Sequence, residues 1–151
     1  MEIYKMYFIK RKFTFCGGHR LSQHKGKCQN LHGHNYEVWV TIRAMKLDEN
    51  DMVMDFAKLD EMVKPIIEEY DHSLVLNAAD MNWASDLIKD FNFKIIIIDG
   101  EPTAEKFAST IYQRLSSDFV RKFNSIEVHQ VEIYENEKSS AIYTDAVCMG
   151  D

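Results

Sequence analysis

The stretch that decides the fold is His32-Gly33-His34-Asn35-Tyr36-Glu37-Val38-Trp39-Val40-Thr41-Ile42-Arg43-Ala44. From residue 35 onward it alternates. Tyr36, Val38, Val40, Ile42 and Ala44 fall on one side of an extended chain, and Glu37, Trp39, Thr41 and Arg43 on the other. This is the pattern of a strand with one buried face. If the strand reaches back to His32, the two imidazoles, two residues apart, project from the same face.

Working outward, residues 4 to 15 are rich in Tyr, Phe and Ile, alternate loosely and predict a strand that stops at Gly17-Gly18. After Asp55, an N-cap acceptor, the period changes: Phe56, Leu59, Val63, Ile66 and Ile67 make one helical stripe, interrupted in principle by Pro65. A short helix is expected near 83 to 90, a strand-type apolar run at Ile95 to Ile98, and a helix from Thr103 to Leu115 behind Pro102. The C-terminal part reads as a hairpin, with strands near 125 to 134 and 140 to 147 around a polar turn from Glu135 to Ser139. The order is β-β-α-α-β-α-β-β. It predicts an α+β domain with an antiparallel sheet and helices on one face.

A chain of 151 residues, 46% apolar and 12% aromatic, suits one domain over residues 1 to 151. It holds no apolar run long enough for a membrane span, and the N-terminus lacks a signal-peptide pattern, so the expected location is cytoplasmic. Cys16, Cys28 and Cys148 are odd in number and widely spaced, which favours reduced thiols over a disulfide framework. The formal charge of -6 argues against a nucleic-acid-binding surface. Two basic clusters, Lys10-Arg11-Lys12 and the pair Lys25 and Lys27, are either solvated surface or a meeting point for an anionic ligand.

Pairing of the first two strands brings His19 alongside His32 and His34, with Gly17, Gly18 and Gly33 keeping the neighbouring backbone free of bulk. Three histidines leave the fourth tetrahedral position of a zinc ion open, as in a catalytic site. Against this stands the plainer reading of a polar His-Gly-His loop. Cys28, four residues before His32 and flanked by lysines, is either a fourth ligand closing a structural His3Cys site or a free base or nucleophile. Spacing alone does not separate these. Asp71-His72 is an acid/base pair if the fold lets the two side chains meet. Glu135 follows Val131 and Ile133 on one strand face and is able to receive a bidentate N–H donor, unless it is a solvated turn residue. His24 and His129 carry no role, and Cys16 and Cys148 read as packing or surface thiols.

Taken together, these residues resemble the 6-pyruvoyl-tetrahydropterin synthase family, which includes bacterial 6-carboxy-tetrahydropterin synthases of queuosine biosynthesis. The resemblance runs through Phe15-Cys16-Gly17-Gly18-His19-Arg20-Leu21, Cys28-Gln29-Asn30-Leu31-His32-Gly33-His34-Asn35-Tyr36, Met54-Asp55-Phe56, Asp71-His72, Pro102-Thr103-Ala104-Glu105 and Glu135. It departs at Gly17-Gly18, where the family usually has two alanines. The resemblance implies zinc on His19, His32 and His34, a catalytic thiol at Cys28 outside the metal shell, and proton transfer assisted by Asp71-His72. It also implies that Glu135 anchors the guanidine-like edge of a pterin, with Thr103 near the pterin pocket. The implied fold is the tunnelling fold, a four-stranded antiparallel sheet with helices on one face. Several subunits of a homo-oligomer close it into a barrel, with active sites between them.

Within the family, the spacing Cys-x-x-x-His-Gly-His is that of the carboxy-forming enzymes. The resemblance therefore implies a lyase that converts 7,8-dihydroneopterin triphosphate to 6-carboxy-5,6,7,8-tetrahydropterin, acetaldehyde and triphosphate, with zinc acidifying the side-chain hydroxyls. The rivals are pyruvoyl formation by triphosphate elimination and a non-catalytic zinc-binding module.

Overall fold

The computed structural model describes residues 5 to 145. The proposed strand positions at 4, 146 and 147, and Cys148, lie outside these. The first two strands form a long hairpin, β1 (Tyr7–His19) against β2 (His32–Ala44), in antiparallel register from Tyr7↔Ala44 to His19↔His32. β1 does not stop at Gly17-Gly18 but runs through both glycines, because β2 continues to pair with it back to His32. The close approach explains Gly33: a Cβ there would lie 2.9 Å from the Gly17 carbonyl oxygen.

Helix α1 (Phe56–Tyr70) starts at Asp55, whose side chain accepts the Ala57 N–H at 2.7 Å. It continues through Pro65, its stripe of Leu59, Met62, Val63, Ile66, Ile67 and Tyr70 being buried; tertiary packing outweighs the one lost backbone hydrogen bond. After it come β3 (Ser73–Asn77), α2 (Met81–Phe91) and β4 (Ile95–Ile98). Next is α3 (Ala104–Lys122), capped by Thr103 and two turns longer than the sequence predicts because Phe119 still reaches the core. The hairpin β5 (Ile126–Asn136) and β6 (Ser139–Tyr143) ends the described chain.

The sheet has six strands in the order β4-β3-β1-β2-β5-β6, not four. It is also mixed: β3 runs parallel to β1 through Gly17–His19, and β4 runs parallel to β3. The five residues of β3 follow directly on a helix and a turn and are too short to show a period, so the sequence did not reveal them. The core forms where α1 and α3 cover one face, with Phe107 of α3 meeting Phe15, Tyr36 and Tyr70 at ring distances of 6.3, 5.4 and 5.7 Å. Val38, Val40 and Ile42 are fully buried on that face, as the alternation requires.

Candidate metal centre and its surroundings

The alternation that buries Tyr36 also sets His34 and His32 on the core face, and cross-strand pairing places His19 directly opposite His32. The ligand nitrogens of His19, His32 and His34 lie within 4.8 Å of one another. Two of the three rings have their outer nitrogen occupied. His19 Nδ1 donates to the Pro102 carbonyl at 2.7 Å, and His32 Nδ1 donates to the Asn30 carbonyl at 2.7 Å. Each bond fixes the tautomer that leaves Nε2 as an acceptor.

His19 is the informative member. It is 1% exposed, yet its Nε2 has no hydrogen-bond partner among the described residues. Leaving such an atom buried and unpaired costs about 1–3 kcal/mol. Burial pushes the His19 imidazole below its ordinary range, assisted by His32 and His34 and opposed by the Pro102 carbonyl and the charge of Glu135. A neutral, preoriented imidazole aimed at two others is the donor set that a zinc-like cation takes, so the residues fit such an ion.

Glu135 stands close enough for its charge to act on both His19 and Tyr36. It lies within β5 and not in the turn, at the point where the β5–β6 register shifts between Tyr134 and Asn136. An irregularity of this kind re-aims a side chain. With His34, Asn35, Glu37 and Tyr134 it lines a hollow of about 590 Å³. Thr103 is held by its own helix, its side chain accepting the Lys106 N–H at 3.2 Å, one residue beyond the carbonyl that orients His19. Cys28 sits half-buried in a short 3-10 turn, Lys27–Gln29, within the loop joining β1 and β2. It is not one of the clustered ligands.

Asp71 and His72 do meet: His72 Nδ1 and Asp71 Oδ2 are 2.7 Å apart. They join the triad's strand from its other side. The Cys16 N–H donates to Asp71 Oδ1 at 2.8 Å, and the His72 N–H donates to the Cys16 carbonyl at 2.7 Å. The Cys16 N–H, then His72, holds the Asp71 carboxyl below its usual range. Cys16, His32, His34, Asn35, His72 and Leu74 are among the residues lining a second hollow of about 600 Å³. Cys16 and Asn35 alternate with Gly17 and His34, so their side chains leave the sheet on the face opposite the triad, and Cys16 Sγ lies 2.9 Å from Asn35 Oδ1. His72 has a φ of 55°, a left-handed conformation that a non-glycine residue adopts at a cost.

Sequence reasoning missed two contributors, the carbonyls of Pro102 and Asn30, which carry no side-chain signal; Cys16, read as a packing or surface thiol, is exposed and borders the same hollow as His72. Only the flanking Pro-Thr motif pointed toward residue 102.

Residues 8–146 match the family model of 6-pyruvoyl tetrahydropterin synthase. A 6-carboxy-5,6,7,8-tetrahydropterin synthase of Rickettsia conorii is 38% identical over 100 residues, covering 66% of this chain and 72% of the relative. One of Haemophilus influenzae is 30% identical over 146 residues, covering 93% of this chain and 100% of the relative. Among solved structures, an uncharacterized protein from Wolinella succinogenes superposes with a TM-score of 0.80 at 24% identity, covering 94% of this chain and 99% of that one. The 6-pyruvoyl tetrahydropterin synthase of Caenorhabditis elegans does so with a TM-score of 0.67 at 25% identity, covering 97% and 100%. The chain belongs to the 6-pyruvoyl tetrahydropterin synthase family and is an enzyme of the lyase class.

Proposed function

We propose that this chain is a zinc-dependent 6-carboxy-5,6,7,8-tetrahydropterin synthase, acting on 7,8-dihydroneopterin triphosphate in the route to queuosine. The observation that carries the reading is the buried, unpartnered Nε2 of His19, converging with His32 and His34. Relatives named for the carboxy-forming reaction, and the spacing from Cys28 to His32-Gly33-His34, support the choice within the family. A zinc ion held by the three histidines supplies Lewis acidity toward the substrate's side-chain hydroxyls.

The chain's own groups do the rest. The carboxylate of Glu135 receives paired N–H donors from the pterin's guanidine-like edge and so orients the ring. The family resemblance sets Thr103 near the same pterin. Cys28, outside the ligand set, moves a proton between side chain and ring, and His72, held by Asp71, moves another. The overall change balances with one water consumed in freeing the triphosphate: the ring is reduced while the side chain is oxidised and cleaved, releasing acetaldehyde and triphosphate.

The His72 side chain is 79% exposed, and in this reading a site draws its triad from one subunit and its Asp71-His72 pair from a neighbour. The sheet's edges favour such assembly. Among the described residues, no strand pairs with the outer edge of β1 from Tyr7 to Cys16, and β6 forms the other end of the sheet. Met6, Tyr7 and Phe8 near one edge and Ile142 at the other are exposed. A homo-oligomeric barrel with intersubunit sites accounts for both.

Incubating the zinc-loaded protein with 7,8-dihydroneopterin triphosphate and analysing products by mass tests the reading. Acetaldehyde with a carboxylated tetrahydropterin is expected, and Cys28→Ala is expected to abolish both. A three-carbon pyruvoyl product would replace the proposal with triphosphate elimination; no product at all, in the presence of bound zinc, would leave a non-catalytic zinc module.

A further inference from the structure

We propose that Glu101 is a positioning residue that ties the loop carrying Cys28 to the carbonyl that orients His19. The inference rests on the zinc site proposed above. Its geometry is a chain of short contacts. At the base of the loop between β1 and β2, Ser22 Oγ donates to Glu101 Oε1 at 2.5 Å, and Asn77 Nδ2, at the end of β3, donates to the same oxygen at 2.7 Å. One residue before Ser22, the Leu21 N–H donates to the Cys28 carbonyl at 2.9 Å, which closes the loop onto the thiol-bearing residue. The next residue after Glu101 is Pro102, whose carbonyl accepts from His19 Nδ1.

The main chain around Glu101 has little freedom to absorb a displacement. Pro102 has a fixed φ, and the Thr103 N–H donates back to the Glu101 carbonyl at 2.9 Å before Thr103 caps α3. A shift of the Glu101 side chain is therefore passed on to the carbonyl that holds His19. The carboxylate suits the role because charged acceptors make the stronger hydrogen bonds. Burial works against its ionisation, but hydrogen bonds from Ser22, Asn77 and the nearby backbone amides outweigh it and hold it below the usual range. A second clamp holds the loop independently. Arg20 pairs with Asp80 at 3.3 Å, and Trp83 Nε1 donates to Asp80 at 3.1 Å, so removal of Glu101 loosens the loop without detaching it.

Glu101 touches neither metal nor substrate in this scheme; it acts through Pro102 and through the loop. Three variants of the full-length protein separate positioning from plain stability: Glu101→Ala, Glu101→Gln and Ser22→Ala. Zinc affinity is measured by competition with a chromophoric chelator, and the rate of Cys28 alkylation by iodoacetamide is followed by peptide mass mapping. Loss of an orienting partner of a ligand histidine lowers metal affinity about ten- to hundredfold. Glu101→Ala is expected to show that loss together with faster Cys28 labelling. Glu101→Gln keeps an acceptor oxygen for Ser22 and Asn77 and should restore most of both. Ser22→Ala should speed labelling while leaving zinc affinity unchanged.

Wild-type zinc affinity and labelling in Glu101→Ala, with only a lower melting temperature, would overturn the inference. Should that variant fail to fold, unchanged labelling in Ser22→Ala would overturn it instead. Failure of the wild-type protein to bind zinc would sink the reading of the site itself, a distinct result.

Discussion

A site that takes the His19 triad from one subunit and the Asp71-His72 pair from a neighbour has a quantitative consequence for mixed oligomers. Take His34→Ala, which removes one member of the triad, and His72→Ala, which removes the imidazole of the pair. Each alone should be nearly inactive, since a positioned acid/base group contributes about 10²- to 10⁴-fold and a two-histidine site holds zinc weakly. Now mix the two variants one to one with subunit exchange. If a site takes its triad from one subunit and His72 from a neighbour, it is intact when the first subunit is His72→Ala and the second is His34→Ala. Random assembly makes that combination in about one quarter of the sites. Activity should rise to roughly a quarter of the wild-type value, far above the background of either variant. The assay is product formation before and after co-refolding, with melting curves showing that both variants fold. A mixture no more active than its components would refute the intersubunit site, because triad and pair would then serve the same chain or the pair would serve no site.

Three further outcomes are expected. A strong chelator should abolish turnover and zinc should restore it, with metal affinity falling toward acid pH as protons compete for the ligand nitrogens; turnover that persists without metal would remove the triad's assigned role. Phe107→Ala, at a fully buried ring touching Phe15, Tyr36 and Tyr70, should cost about 3–5 kcal/mol in denaturant unfolding, and a cost below 1 kcal/mol would contradict the packing described. Asp60 lies below its usual range, through Arg11 first and Lys64 as well. Its folded value is depressed, so its contribution is complete above the unfolded value of about 3.9 and is lost as pH falls through the folded one. Asp60→Asn should therefore lower stability at neutral pH and flatten the acid limb of stability against pH; an unchanged acid limb would show that the pair is inert.

Residues 35 to 44 specified a strand and its buried face before any coordinates, because a period of two dictates which side chains point together. The same rule, extended back by two residues, aligned His34 and His32, and hairpin pairing brought in His19. Those arguments are local, and local chemistry is legible in a sequence. The resemblance carried Cys28, Asp71-His72 and Glu135 as a set. The sequence could not show that Asp71-His72 adjoins Cys16, since adjacency of two residues says nothing about which distant strand they reach.

What only the tertiary structure decided follows from contacts made far along the chain. The parallel strand β3 enters the sheet beside Gly17–His19 because a helix returns the chain there, and no period of five residues announces it. His19 is oriented by a carbonyl 83 positions away, and backbone carbonyls look alike in every sequence. The charge of Glu135 reaches His19 and Tyr36 because β5 pairs with β2 and shifts register near its end. Strand alternation therefore settled which imidazoles share a face. Long-range pairing and burial settled their tautomers and their neighbours, and those are what make a His-x-His hairpin able to hold a metal ion.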